Sequence, residues 1–91
     1  METKILNYRV IIEPEKYPDG SQTYNAYCPT LGVADYGDTV EEAMESIKEG
    51  ILLAIECLAK EKREVPVDNL NEQIVAAARI VIPSKLKIAI V

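Results

Sequence analysis

The clearest structural signal in the chain is GDTVEEAMESIKEGILLAIECLAK, residues 37–60. Thr39 is a favourable N-cap residue, and Glu42 follows it at the three-residue spacing of a capping box. Beyond the cap, apolar residues recur at steps of three and four, which is typical of a helix with one buried face. The stretch therefore predicts a long helix that begins after Thr39 and ends with the mostly basic residues 60–63.

This helix carries more apolar surface than one buried stripe needs. Leu52, Leu53 and Cys57 lie beside the stripe and widen it. They indicate a second contact, with another copy of the chain or with a partner, although a broad buried helix would place the same residues there. We take the three as candidate oligomer contacts, because small domains often gain stability by oligomerising.

Upstream of the helix, alternating apolar residues predict a first strand over residues 5–13. One side of this strand is apolar and the other is mostly polar, which is typical of an antiparallel sheet covered on one face. The residues predicted to face inward are Leu6, Tyr8, Val10 and Ile12.

A turn and a second strand follow the first. Residues 17–21 (YPDGS) are typical of a turn, because proline presets φ and an Asp-Gly pair accepts unusual dihedral angles. Residues 23–28 are predicted to return as the second strand of a hairpin. Tyr24, Ala26 and Cys28 are expected to face inward, and the intervening residues outward.

The remaining elements are shorter and less sharply defined. A third strand is predicted over residues 33–36, before Gly37 separates it from the helix. Residues 69–82 combine capping-box spacing at their start with β-branched residues at their end, so the pattern leaves helix and strand open. Alternation over residues 86–91 predicts a final strand.

Together these elements predict an α+β fold in a single domain over residues 1–91. Three strands form an antiparallel meander, and the long helix covers one of its faces. A short second helix is one option for residues 69–82. The final strand then joins the sheet edge beside the first strand through a right-handed crossover.

The composition and net charge of the chain limit the kinds of ligand that it is expected to bind. The formal charge is −5, and an acidic chain is a poor non-specific ligand for nucleic acid because phosphates repel it. The same charge suits a basic protein partner. We expect no membrane span and no targeting segment, and therefore a cytoplasmic protein with reduced thiols. Cys28 and Cys57 both lie among apolar residues and are expected to be buried.

The residue types favour binding over catalysis. The chain has no histidine, so the commonest general base and metal ligand are absent. Its glycines are isolated, and its two cysteines lack the spacing of a zinc site. We expect no catalytic residue, metal or cofactor. A metal-dependent nuclease is the less favoured alternative, and its candidate carboxylates are Glu13, Asp19, Asp35 and Asp38.

Several of these segments occur together in a known pattern. They are YRVIIE at residues 8–13, YNAYCP at 24–29, LGV at 31–33, GDTVEEA at 37–43 and VP at 65–66. In this order and spacing they resemble the HicB family of antitoxins over most of the chain. The GDTVEEA segment, preceded by the CPTLG turn, is the most specific part of the resemblance.

The resemblance implies both a fold and a function. The HicB fold is a partly degraded ribonuclease-H-like sheet with a helix packed on it. Its members neutralise HicA, a small basic toxin with a double-stranded-RNA-binding-like fold that cleaves messenger RNA. Many relatives carry a C-terminal DNA-binding module, for which few residues follow Pro66 here. We therefore expect neither DNA binding nor transcriptional autoregulation.

The favoured hypothesis is an antitoxin-like protein that binds a HicA-type toxin. On strand alternation, the partner-binding residues are expected to be Arg9, Ile11, Asn25 and Tyr27, because all four point away from the helix. The alternative is a homo-oligomeric scaffold or orphan regulator that has no toxin partner. In that case Leu52, Leu53 and Cys57 form the contacts between subunits.

Overall fold

The computed structural model describes residues 3–69 and 76–90. In chain order these residues form β1 (Ile11–Lys16), β2 (Gln22–Cys28), β3 (Val33–Gly37) and α1 (Val40–Lys60). The strands lie in the order β1-β2-β3, and neighbouring strands are antiparallel. The predicted α+β class, with a meander followed by one long helix, is confirmed.

The first strand lies further along the chain than its alternation predicts. β1 begins at Ile11, and it continues through Pro14, which pairs with Tyr24. Proline is tolerated there because β1 is an edge strand, so a missing N–H on the open side costs no ladder hydrogen bond. Residues 5–10 carry no strand pairing and instead contact the segment that follows α1.

Two hydrogen bonds make that contact. The Tyr8 hydroxyl donates to the Pro66 carbonyl at 2.6 Å. The Arg9 backbone N–H donates to the Asp68 carboxylate at 2.7 Å. The N-terminal segment is therefore held by residues almost sixty positions away in sequence, and the predicted boundary of the first strand is wrong for this reason.

The hairpin turn has the predicted form. The Tyr17 N–H donates to the Ser21 carbonyl at 2.9 Å, and the Gly20 N–H donates to the Tyr17 carbonyl at 2.9 Å. Gly20 adopts a φ of 90°, which residues with a side chain rarely adopt. The Asp19 carboxylate accepts from the Ser21 hydroxyl and N–H, and these two bonds lower the pKa of Asp19.

The cap of α1 is confirmed with one difference. Thr39 Oγ1 accepts a hydrogen bond from the Glu42 N–H at 3.0 Å, as the capping box predicts. The Glu42 carboxylate, however, accepts from the N–H of Asp38, one residue earlier than the standard motif. The first turn thus gains one satisfied donor, the Glu42 N–H, and the second bond satisfies the N–H of the residue before the cap.

The core lies between α1 and one face of the sheet, which we call the inner face. Its residues are at most 1% exposed: Ala26, Cys28, Ala43 and Ile47. Residues of the predicted inward faces, among them Tyr8, Val10, Ile12 and Tyr24, pack against this cluster. Those faces are therefore confirmed, except that Leu6 remains 45% exposed.

Gly37 allows the end of β3 to approach the start of α1. A Cβ atom at this position would overlap the backbone nitrogen of Ala43, far inside van der Waals contact. A residue with a side chain would therefore separate the strand from the helix.

The predicted final strand is not part of the sheet. Residues 76–90 adopt neither helix nor strand, and each of them is exposed. The sequence pattern left helix and strand open over residues 69–82. Residue 69 and residues 76–82 form neither, and residues 70–75 lie outside the described part of the chain. The N-terminal segment that was to receive the final strand is hydrogen-bonded to residues 66 and 68 instead.

Candidate functional site

The sheet face that α1 does not cover is the outer sheet face, formed by Ile11, Asn25, Tyr27, Ala34 and Tyr36. Strand register places Ile11 directly opposite Tyr27, and Tyr36 directly opposite Asn25. Such cross-strand neighbours are close enough for their side chains to contact. Ile11 is 41% exposed, Tyr27 45% and Tyr36 67%, so three large side chains form an open apolar and aromatic surface.

Carboxylates border this surface along β1. Glu13 lies opposite Asn25 in the register, and Glu15 lies opposite Thr23. The Asn25 side-chain amide donates a hydrogen bond to the Glu15 carboxylate, which orients both groups across the two strands. Both glutamates are exposed. The outer sheet face therefore combines an apolar and aromatic centre with a negatively charged edge.

Three of the four predicted partner-binding residues lie together on this face: Ile11, Asn25 and Tyr27. Arg9 precedes β1, so the strand register does not assign it to this face. It is only partly exposed, and its backbone N–H donates to Asp68. Thr23 was also expected to point outward, but it is 5% exposed, and its hydroxyl donates to the Gly37 carbonyl at 2.9 Å. These two positions therefore contribute less to the surface than alternation predicts.

Tyr36 was not among the predicted site residues. Alternation along β3 from the inward-facing Val33 already places residues 34 and 36 on the outer face. That signal was present in the sequence but short, because β3 has only five residues.

Asp68 is a second polar centre that the sequence pattern did not indicate. Its carboxylate accepts from the Thr30 hydroxyl at 2.6 Å and from the Arg9 N–H at 2.7 Å. The Thr30 bond is the main reason that the pKa of Asp68 is lowered, and the Arg9 bond adds to it. Nearby, burial raises the pKa of Tyr8, with smaller contributions from Cys28 and Asp68. Asp68 therefore links three separate parts of the chain.

A groove of about 770 Å³ runs between α1 and the N-terminal segment, and we call it the α1 groove. Its walls are largely apolar and include Leu6, Tyr8, Met44, Ile51, Leu52 and Val67.

The predicted oligomer contacts do not share this groove. Leu52 lines it and is 57% exposed. Leu53 is 61% exposed but lies on another flank of α1, because successive helical residues point about 100° apart. Cys57 is also outside the groove lining, and it is exposed, so its predicted burial is wrong. Cys28 is buried as predicted.

The carboxylates considered for a metal site serve other contacts or lie apart. Asp19 belongs to the hairpin turn, and Asp35 accepts from the Tyr36 N–H. Across residues 3–69 and 76–90, no three cysteine, aspartate or glutamate side chains form a group that could hold a metal ion. In the same part of the chain, no helix has the length and apolar character needed to cross a membrane.

Comparison with known proteins found one informative similarity. The chain is 46% identical over 68 residues to the UPF0150 protein ssr1765 of Synechocystis. The alignment covers 74% of this chain and 81% of that protein. No protein-family profile matches the chain. No solved structure matches it either.

Proposed function

The chain belongs to the UPF0150 family, and from this premise we propose that it is a HicB-like antitoxin that binds and neutralises a small HicA-type toxin. The observation that carries the proposal is the outer sheet face, where Ile11 and Tyr27 lie opposite each other and remain exposed. Aromatic residues at the centre of an interface often provide most of its binding energy. The motifs that resemble HicB cover the same strands.

Electrostatics also favour such a partner. The chain carries a formal charge of −5, and Glu13 and Glu15 are exposed at the edge of the outer sheet face. HicA-type toxins are basic, so their long-range attraction to this edge would raise the association rate. The apolar centre would then supply the contacts that slow dissociation.

The proposed mechanism is inhibition by binding and not by catalysis. An antitoxin attached through its outer sheet face would cover the surface with which the toxin holds or cleaves RNA. This role needs no catalytic residue, metal or cofactor from the antitoxin. It places the protein in the cytoplasm, where a toxin that cleaves messenger RNA acts.

Calorimetry with a catalytically inactive HicA-type toxin, encoded in the neighbouring gene, tests the proposal. We expect a defined stoichiometry and a Kd on the order of nanomolar, as is common for stable interfaces. Light scattering during size-exclusion chromatography would give the composition of the complex. Absence of binding at micromolar concentrations would contradict the antitoxin role.

Two substitutions then test the placement of the interface. Tyr27→Ala and Ile11→Ala should each weaken toxin binding about tenfold or more, because each removes a central apolar contact. Leu53→Ala is the matched control, since Leu53 is a comparably exposed apolar residue on α1, away from the outer sheet face. Unchanged affinity in the first two variants would show that the toxin binds elsewhere.

The alternative function is a homo-oligomeric scaffold or orphan regulator. It is favoured by the exposed leucines of α1, Leu52 and Leu53, which a monomer leaves in water. A stable homo-oligomer that fails to bind any neighbouring toxin would favour this alternative. An oligomer that also binds toxin tightly would keep the antitoxin role.

A further inference from the structure

Residues 76–90, which we call the C-terminal arm, are rich in apolar side chains, and each of them is exposed. Ile80 is 71% exposed, Val81 77% and Ile90 90%. The radius of gyration is 18.4 Å, whereas a compact chain of this length would have about 12 Å. The arm therefore extends from the rest of the chain, and contiguous apolar exposure of this kind marks an interaction surface.

The arm has the pattern of a strand that lacks a neighbour. Leu86, Ile88 and Ile90 alternate with Lys85 and Lys87, so an extended backbone places the apolar residues on one side. Its backbone makes one hydrogen bond within the described residues, from the Leu86 N–H to the Pro83 carbonyl. Most of its N–H and C=O groups are therefore available to another segment.

The charge of the arm indicates the kind of surface that it can bind. It contains three basic residues, Arg79, Lys85 and Lys87, and no acidic residue. The rest of the chain has the other seven basic residues against all fifteen acidic ones. The basic arm thus complements the net acidic charge of the body of another copy. The α1 groove of that copy would contribute apolar contacts, because the charged residues in its lining are Lys4 and Lys48.

We propose that the C-terminal arm of one copy lies in the α1 groove of a second copy, and that the exchange is reciprocal. Leu86, Ile88 and Ile90 face the groove wall at Leu52. The alternating Lys85 and Lys87 point away from the groove, and therefore away from Lys4 and Lys48 in its lining. Reciprocal exchange closes the assembly as a two-fold dimer.

Two features make this docking consistent with the rest of the molecule. Residues of the arm do not line the groove of their own chain in the described structure. Lys48, which lies at the groove, is already paired with Glu45 at 3.4 Å, so its charge is partly compensated. The docking leaves the outer sheet face open, and the inference therefore does not depend on the toxin.

Light scattering on the full chain tests the inference. The unmodified protein should be a dimer at micromolar concentration. Ile88→Glu in the arm and Leu52→Glu in the groove should each weaken dimerisation at least about tenfold, since each places a charge in a dehydrated contact. Leu53→Glu is the matched control, with the same chemistry on the same helix, and it should remain dimeric. Circular dichroism would confirm that each variant is folded.

Mixing two variants distinguishes reciprocal exchange from dimerisation through a different surface. Equal amounts of the Ile88→Glu and Leu52→Glu chains retain one intact arm and groove pair between them, so they should recover a heterodimer where neither dimerises alone. A monomeric unmodified protein would overturn the proposal, as would dimers that survive Ile88→Glu. Should Leu52→Glu fail to fold, Ile88→Glu and Ile90→Glu still test the arm side of the contact, and a dimer that survives either substitution would overturn the proposal.

Discussion

The two faces of the three-stranded sheet are formed by the same strands but differ in exposure and packing. In β2, Ala26 on the inner face is 1% exposed, whereas its neighbour Tyr27 on the outer face is 45% exposed. The inner face packs against α1, and the outer face has no helix over it in the described part of the chain. Adjacent residues can thus be assigned to stability or to binding, and substitutions should separate the two.

The largest expected effect is on the inner face. Ile47→Ala should lower the free energy of unfolding by about 2–5 kcal/mol, because it removes a buried side chain and leaves a cavity. Ile47 is 0% exposed. Urea denaturation followed by circular dichroism would measure the change. Leu53→Ala on the outside of the same helix should cost less than about 1 kcal/mol, and equal losses in both variants would contradict the assigned core.

A somewhat smaller effect is expected where the inner face meets the start of α1. Gly37→Ala should cost about 1–3 kcal/mol, because its Cβ would overlap helix backbone that cannot move independently. Gly50→Ala is the matched control. Its Cβ would lie 3.0 Å from a Val33 methyl group, which can shift, and alanine favours the helix by about 1 kcal/mol. A larger drop in melting temperature for Gly50→Ala than for Gly37→Ala would contradict the close approach at Gly37.

The inner face was also the part of the fold that could be predicted best from the sequence. Alternation at Ala26 and Cys28, and the cap at Thr39, depend on neighbours within a few residues. The position of residues 5–10 depends instead on Tyr8 and Arg9, whose hydrogen-bond partners lie 58 and 59 residues away. A local pattern indicates which face of a segment is apolar, but it does not indicate which segment will cover that face.

The same limit applies to the candidate site. Ile11, Asn25 and Tyr27 were predicted together because all three lie within regular strands. Arg9 lies outside this group, because β1 begins two residues later, at Ile11, and the strand register therefore does not include it. Residues 86–90 have the alternation of a strand, but in the described structure no neighbour pairs with them. The alternation indicates which side of the segment is apolar, but it does not specify which segment, if any, pairs with it.

The hydrogen bonds that join Asp68 to Thr30 and to the N-terminal segment should depend on pH. The Thr30 hydroxyl and the Arg9 N–H hold the pKa of Asp68 below its ordinary value of 3.8, so the folded state binds this proton less readily than the unfolded state. The resulting stability is complete above the ordinary pKa and is lost as pH falls through the lower folded-state pKa. Asp68→Asn should therefore lower stability at pH 7 and flatten its decline in acid.

Denaturation midpoints between pH 7 and pH 2 would test this expectation. Asp19→Asn is the matched control, because the pKa of Asp19 is also lowered, but its carboxylate accepts from Ser21 within the same turn and not from a distant part of the chain. The control should alter the acid response while leaving the N-terminal segment in place. An Asp68→Asn curve parallel to that of the unmodified protein would show that this carboxylate does not contribute to the acid response.

The smallest effect on stability is expected on the outer sheet face. A substitution there tests most directly whether the two faces have separate roles in stability and in binding. Tyr36 is 67% exposed, so Tyr36→Ala should change the free energy of unfolding by less than about 0.5 kcal/mol. If this face binds the toxin, the same variant should weaken binding about tenfold. Denaturation and calorimetry on one preparation would measure both quantities. A large loss of stability would mean that Tyr36 supports the sheet, and the division between a stabilising face and a binding face would then not hold.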